Sequence, residues 1–197
     1  MCNMIIKRLG PDLVEDYLRF FDTEDHSDNI PEHKCYCVCW SSDDHRAGTE
    51  MMSTAEKRRT LARKYIENGM IKGYLAYEDD RVVGWCNANE KTSCRNCISW
   101  LRLMGSVEND TTKSIKVLSV FCFAIATDMR RRGIATKLLS HVCSESIREG
   151  YDVIEAYPRK NLKGADDFEG PLSMFLKCGF TIYKELPEMF LVRKSLV

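Results

Sequence analysis

The sequence predicts one α/β (α+β) domain, spanning 1–197, built on a single mixed sheet. Three observations predict it. Strand-like and helix-like runs alternate with no internal repeat, low-complexity tract or linker between them. Hairpin patterns occur near both ends. A strand–helix–strand unit lies late in the chain, between Ser114 and Tyr157.

Met4 to Arg8 reads as a short first strand. Pro11, whose fixed φ suits a first helical position, opens a helix with Leu13, Tyr17, Phe20 and Phe21 on one apolar face. Asp22 to Lys34 is polar, acidic and contains Pro31, so it reads as loop. Cys35 to Trp40 alternates like a short strand. Ser53 with Glu56 makes a capping-box pattern for a helix ending at Asn68, before Gly69. Ile71 to Tyr77 and Arg81 to Asn87 form a hairpin through the turn Glu78-Asp79-Asp80. Within 89–113 only Ile98 to Met104 suggests a short helix. Ser114 to Ile125 is a long apolar strand. The following helix carries Ile134, Leu138, Val142 and Ile147 on one face and stops at Gly150. Asp152 to Tyr157 is a strand, Asn161 to Gly170 a loop and Pro171 to Cys178 a helix. Thr181 to Leu186 and Glu188 to Lys194 close the chain as strands.

The 29 basic and 29 acidic residues cancel, so no global field selects nucleic acid or an anionic membrane. No apolar run approaches the ~18 residues of a membrane span. The N-terminus lacks the pattern of a signal peptide, and a cytoplasmic location is expected. With no export signal, the ten cysteines are read as reduced thiols, several of them small core hydrophobes.

The strongest local signal is Arg130-Arg131-Arg132-Gly133-Ile134-Ala135-Thr136-Lys137, where the long strand meets its helix. Four cations at a helix N-terminus oppose the helix dipole unless an anion sits among them. Gly133 lets backbone approach that anion, Ala135 keeps the next position small, and Thr136 adds a hydroxyl. The string fits neither the Walker loop nor the dinucleotide fingerprint. It reads [RQ]-x-x-G-x-[GA], behind an apolar strand and ahead of a helix ending in Gly179-Phe180.

In these residues the chain resembles the GNAT superfamily of acyl-CoA-dependent N-acyltransferases. Cys35-Tyr36-Cys37, Gly84-Trp85-Cys86-Asn87 and Glu155-Ala156-Tyr157-Pro158 are similar to a bacterial branch of that family. The resemblance implies a mostly antiparallel central sheet with helices on both faces. It implies an N-acetyltransferase using acetyl-CoA as co-substrate, with no metal. The backbone of Phe123, Ala124 and Ile125 would hold pantetheine. Arg130, Arg131, Arg132, Gly133, Ile134, Ala135 and Thr136 would hold the pyrophosphate. Where many members carry a tyrosine that protonates the leaving thiolate, this chain has Phe175, expected in core or pantetheine packing. The acid is then Tyr157, a cysteine or solvent. The acceptor is an amine, either a small molecule or a protein amine, and a homodimer is left open. Neither nucleic acid nor membrane is expected as a partner.

Glu155 is the candidate general base, placed near the end of a central strand where partial burial would raise its pKa. Tyr157, two residues on, shares its sheet face. Two other functional classes stay open: a non-catalytic acyl-CoA-binding module, motivated by Phe175, and a cysteine-based metal or redox protein. If 35–39 is a strand, its three thiols spread over roughly 13 Å, so one ion could not take them all. The acidic loops hint at a cationic acceptor such as a polyamine or aminoglycoside. The basic helix carrying Arg58, Arg59 and Arg63 reads as a solvated face.

Overall fold

The structure is a computed structural model and describes residues 4–24, 29–41, 52–104, 115–161 and 168–196. Its strands are β1 (Met4–Arg8), β2 (Gly73–Glu78), β3 (Arg81–Glu90), β4 (Val117–Ile125), β5 (Val153–Ala156), β6 (Thr181–Glu185) and β7 (Phe190–Ser195). They form one seven-stranded sheet in the order β1-β2-β3-β4-β5-β7-β6. Every neighbouring pair is antiparallel except β4 with β5. The helices are α1 (Val14–Thr23), α2 (Ala55–Glu67), α3 (Lys91–Cys94), α4 (Ile98–Leu103), α5 (Ile134–Arg148) and α6 (Leu172–Lys177).

Alternation along β3 covers the sheet on both faces. Gly84 faces α5, where an added Cβ would lie 3.0 Å from both Ile125 and Ile134 side chains. That glycine lets the helix approach the strand closely. Trp85 points the other way, fully buried and edge-on to Tyr17 of α1 at 4.9 Å between ring centres. Tyr17, Leu18, Leu75, Phe121, Leu138, Leu139 and Phe175 are buried with it. Each such side chain contributes roughly 1.5–3 kcal/mol by leaving water. No helix among the described residues is long and apolar enough to cross a membrane.

Three expectations are corrected. Helix α2 is capped by Thr54, whose Oγ1 accepts the Lys57 N–H at 3.2 Å, and not by Ser53 one residue earlier. Ile147 is 58% exposed, because it lies five residues beyond Val142 and leaves the apolar stripe. Ser146 takes that place, satisfying its hydroxyl on the Val142 carbonyl at 2.7 Å. Most consequentially, 35–40 is no strand. Tyr36 (φ 47°) and Cys37 (φ 51°) are left-handed, and a 3-10 turn follows at Val38–Trp40. Asp166 and Asp167, part of the acidic loop, lie outside the described residues.

The basic face of α2 is largely engaged within the protein. Arg59 pairs with Asp22 at 2.8 Å and Arg63 with Glu15 at 2.6 Å, joining α2 to α1. Arg58 donates to the backbone carbonyls of Lys34 and Met52.

Candidate active site

The sheet splits at its centre. Strands β4 and β5 pair only from Val117–Val153 to Val120–Ala156. Beyond this point β4 continues along β3 to Ile125, while the chain after β5 stays with β7 through the Arg159–Met189 bridge. A parallel pair that parts in this way leaves one edge of β4 without a strand partner among the described residues. A cavity of about 830 Å³ lies there, reaching from the start of α5 along β4 to the 35–40 turn.

At one end the chain makes an anion cradle. After β4, a 3-10 turn at Thr127–Met129 is held by Glu24, which accepts the Thr127 N–H at 2.9 Å. Arg81 spans Asp128 and Glu24 and ties the turn to β3. Arg131 (φ 62°) and Gly133 (φ 77°) then turn the backbone through left-handed geometry into α5. The first α5 hydrogen bond runs from Lys137 N–H to the Gly133 carbonyl. The N–H groups of Ile134, Ala135 and Thr136 therefore lack an intrahelical acceptor. No acidic residue stands in that turn. An added Cβ on Gly133 would meet nothing within 4 Å, so the space in front of the backbone is open. Successive outward N–H groups at a helix start, with guanidinium groups beside them, fit a diphosphate.

Of the expected cofactor-binding residues, Phe123, Ala124, Ile125, Arg130, Arg131, Gly133, Ile134, Ala135 and Thr136 line the cavity. Arg132 is exposed and is not in the wall. Phe175 is fully buried against Phe123 and Phe180, and Met174, one residue earlier, lines the cavity in its place. The Phe123 N–H, on the edge of β4 that faces away from β3, donates to the Phe168 carbonyl at 2.6 Å.

Glu155 is fully buried, beyond the partial burial expected of it. Lys91, itself 3% exposed, and Arg193 each reach one of its carboxylate oxygens at 2.7 Å. Tyr157 donates to the same carboxylate at 2.7 Å and shares a 2.8 Å hydrogen bond with Ser119. Burial first, and the Glu155 charge second, push the Tyr157 phenol well above its ordinary range. The two residues do share a face, as expected, but neither is in the cavity wall. Phe121 stacks on Tyr157 and separates this network from Trp40, which stacks on the other side of Phe121.

The far end of the cavity is rich in thiols, which the sequence did not place there. Phe20, Phe21, Trp40, Cys35, Cys37, Cys39 and Cys122 form its wall. The Cys37 thiol donates to the Cys122 sulfur at 3.7 Å and accepts the Trp85 indole N–H at 3.3 Å. The hydrogen bond to Cys122, then burial, raises the Cys37 pKa. The same bond lowers that of Cys122, but burial and neighbouring thiols leave it raised. Burial pushes Cys39 up to about 12. Among the described residues, no group of three or more His, Cys, Asp or Glu side chains is placed to hold a metal ion. Cys94 and Cys97 are buried elsewhere, while His26 and His45 lie outside the described residues.

A search of curated protein sequences gives no match. Solved structures match along nearly the whole chain. An N-acetyltransferase from Staphylococcus aureus Mu50 aligns with TM-score 0.53 at 13% identity, covering 99% of each chain. The Drosophila melanogaster polyamine N-acetyltransferase aligns with TM-score 0.57 at 11% identity, covering 97% of this chain and 98% of its own. The Escherichia coli ribosomal-protein-S18-alanine N-acetyltransferase aligns with TM-score 0.53 at 10% identity, covering 98% of this chain and 94% of its own. At such identities these likenesses show the fold alone. The acetyltransferase (GNAT) family model matches residues 39–180, taking in the split sheet, the anion cradle and the Gly179-Phe180 helix end, and the chain belongs to the GNAT family of acetyltransferases.

Proposed function

We propose that the protein transfers an acetyl group from acetyl-CoA to a primary amine by direct attack. The observation that carries this reading is the continuity of one cavity from the left-handed Arg131–Gly133 cradle to the edge of β4 that faces away from β3. The cradle supplies N–H groups and guanidinium charge for the diphosphate. The Phe123 to Ile125 edge supplies backbone groups for the pantetheine arm, once the Phe168 carbonyl yields the Phe123 N–H. Bound acetyl-CoA supplies an activated thioester carbonyl. Amides of the β4 edge polarise its oxygen, as fixed donors do wherever charge develops. The walls from Trp40, Phe21 and Met174 exclude water and favour the neutral, nucleophilic form of an amine.

Glu155 and Tyr157 serve in this reading as positioning residues. Both Glu155 oxygens are occupied by cations, so the carboxylate is poorly placed to take a proton from an amine. Its network fixes β5 where β4 leaves it. Calorimetry with CoA tests the site, and release of free CoA thiol over a panel of primary amines tests the transfer. Micromolar CoA binding with turnover on one amine class is the expected result. No CoA binding by folded protein would overturn the reading. Binding with no turnover across peptide, polyamine and aromatic amines would favour a binding module.

A further inference from the structure

The 35–40 turn is strained and deliberately held. Two consecutive non-glycine residues in the left-handed region, Tyr36 and Cys37, each cost roughly 1–3 kcal/mol and persist only where surrounding structure enforces them. Here it does. The Tyr17 hydroxyl donates to the Tyr36 carbonyl at 2.9 Å, and the Tyr36 hydroxyl donates to Asp22 at 2.8 Å. The effect is to bring Cys37 from the turn onto Cys122 of β4, across the wall of the cavity. Asn87, the ladder partner of Cys122, adds a buried amide nitrogen with no hydrogen-bond partner among the described residues. Core cysteines acting as small hydrophobes need neither a strained turn nor a shared cavity.

We propose that Cys37 and Cys122 are a reversible disulfide site that closes the acyl end of the cavity under oxidation. The oxidant is hydrogen peroxide, small enough to enter it. One thiol attacks a peroxide oxygen, giving a sulfenic acid and water; the other thiol attacks that sulfur, forming the S–S bond and releasing a second water. Two electrons and two protons leave the thiols, and a dithiol reductant returns them. The sulfurs stand 3.7 Å apart and a disulfide holds them at about 2.05 Å, so the turn and β4 must close by roughly 1.6 Å. Buried, protonated thiols react slowly, so the response suits sustained oxidation over brief exposure.

The effect on the cofactor rests on the acyl-CoA reading, and the test separates the two. Full-length reduced protein is treated with hydrogen peroxide, alkylated and digested, and CoA affinity is measured by calorimetry before oxidation, after it, and after reduction. The expected result is a Cys37–Cys122 linked peptide, a roughly tenfold loss of CoA affinity, and recovery with reductant. In Cys37→Ala, and independently in Cys122→Ala, the ratio of oxidised to reduced affinity should return to about one. Mapping on the unaltered protein keeps the test valid if a variant fails to fold. Normal CoA binding with no such peptide, or with links through Cys35 or Cys39 instead, overturns the disulfide while the acyl-CoA reading stands. No CoA binding by reduced protein overturns that reading and, with it, the gating. Stoichiometric zinc in protein purified under reducing conditions would assign the thiols to a metal and overturn the switch.

Discussion

Replacing Lys91 by methionine decides what Glu155 is for. Lys91 is 3% exposed and reaches a fully buried carboxylate at 2.7 Å. Removing one member of a buried pair typically costs 3–5 kcal/mol, because it strands the other charge. Arg193 and Tyr157 remain on Glu155, which places the expected loss at the lower end, ~3 kcal/mol. For a chain of this size that lowers Tm by roughly 6–12 °C. It should leave the protein folded, since domains hold about 5–15 kcal/mol. Urea titration gives the loss directly. Glu155→Gln strands Lys91 instead and should cost a similar amount, and the double variant should cost less than the two single losses together, by about 1 kcal/mol or more. The folded Glu155→Gln protein should keep the shape of its kcat–pH profile. A loss under ~1 kcal/mol for Lys91→Met, or additive single effects, would refute the closed network. Disappearance of the acid limb in Glu155→Gln would restore Glu155 as the base.

Three further perturbations test other parts of the structure. Gly133→Glu puts a carboxylate in the open space of the cradle and should lower CoA affinity by about a hundredfold, while the φ of 77° costs only ~1 kcal/mol of stability; unchanged affinity by calorimetry would dislocate the diphosphate site. Thr54→Ala should cost ~1 kcal/mol by urea denaturation and Ser53→Ala less than ~0.5, since Thr54 caps α2; the reverse order would restore Ser53 as the cap. Burial raises the thiols of Cys39 and Cys97 to about 12 from an ordinary value near 9.0. The unfolded chain therefore loses these protons first, and stability should hold below about pH 9 and fall as pH rises toward 12; flat or rising stability there, measured under reductant, would contradict their burial as thiols.

What could be read from the sequence was what neighbours in the chain decide. The apolar run of β4, the change of period into α5, and cations with a glycine at the junction are local signals, and each lies where expected. Glu155 shows the limit. Its strand was legible, but its chemistry depends on Lys91 and Arg193, separated from it by 64 and 38 positions. The 35–40 turn shows it more sharply. Alternating apolar residues suit a strand, and the hydrogen bonds that hold Tyr36 and Cys37 left-handed are made with Tyr17, Asp22 and Trp85, 19, 14 and 48 positions away. Those contacts change three thiols from a dispersed row into the wall of a cavity.

The hydrogen bond from the Phe123 N–H to the Phe168 carbonyl had no sequence signal either, and it makes the cavity conditional. The donor belongs to the edge of β4 that the pantetheine arm would use, and at 2.6 Å it is fully engaged. A buried donor does not give up a partner without gaining another. If the arm takes this edge, the Phe123 amide stays bonded throughout while the Phe168 carbonyl loses its partner. Hydrogen exchange should therefore show two opposite responses to CoA: slower exchange at the start of α5, 134–136, and faster exchange over 168–171, with Phe123 itself protected in both states. Slower exchange in both segments would mean that the 168–171 strap closes over the arm instead of making way for it. The arm would then have to run along another wall of the cavity, and the β4 edge would have no part in holding it.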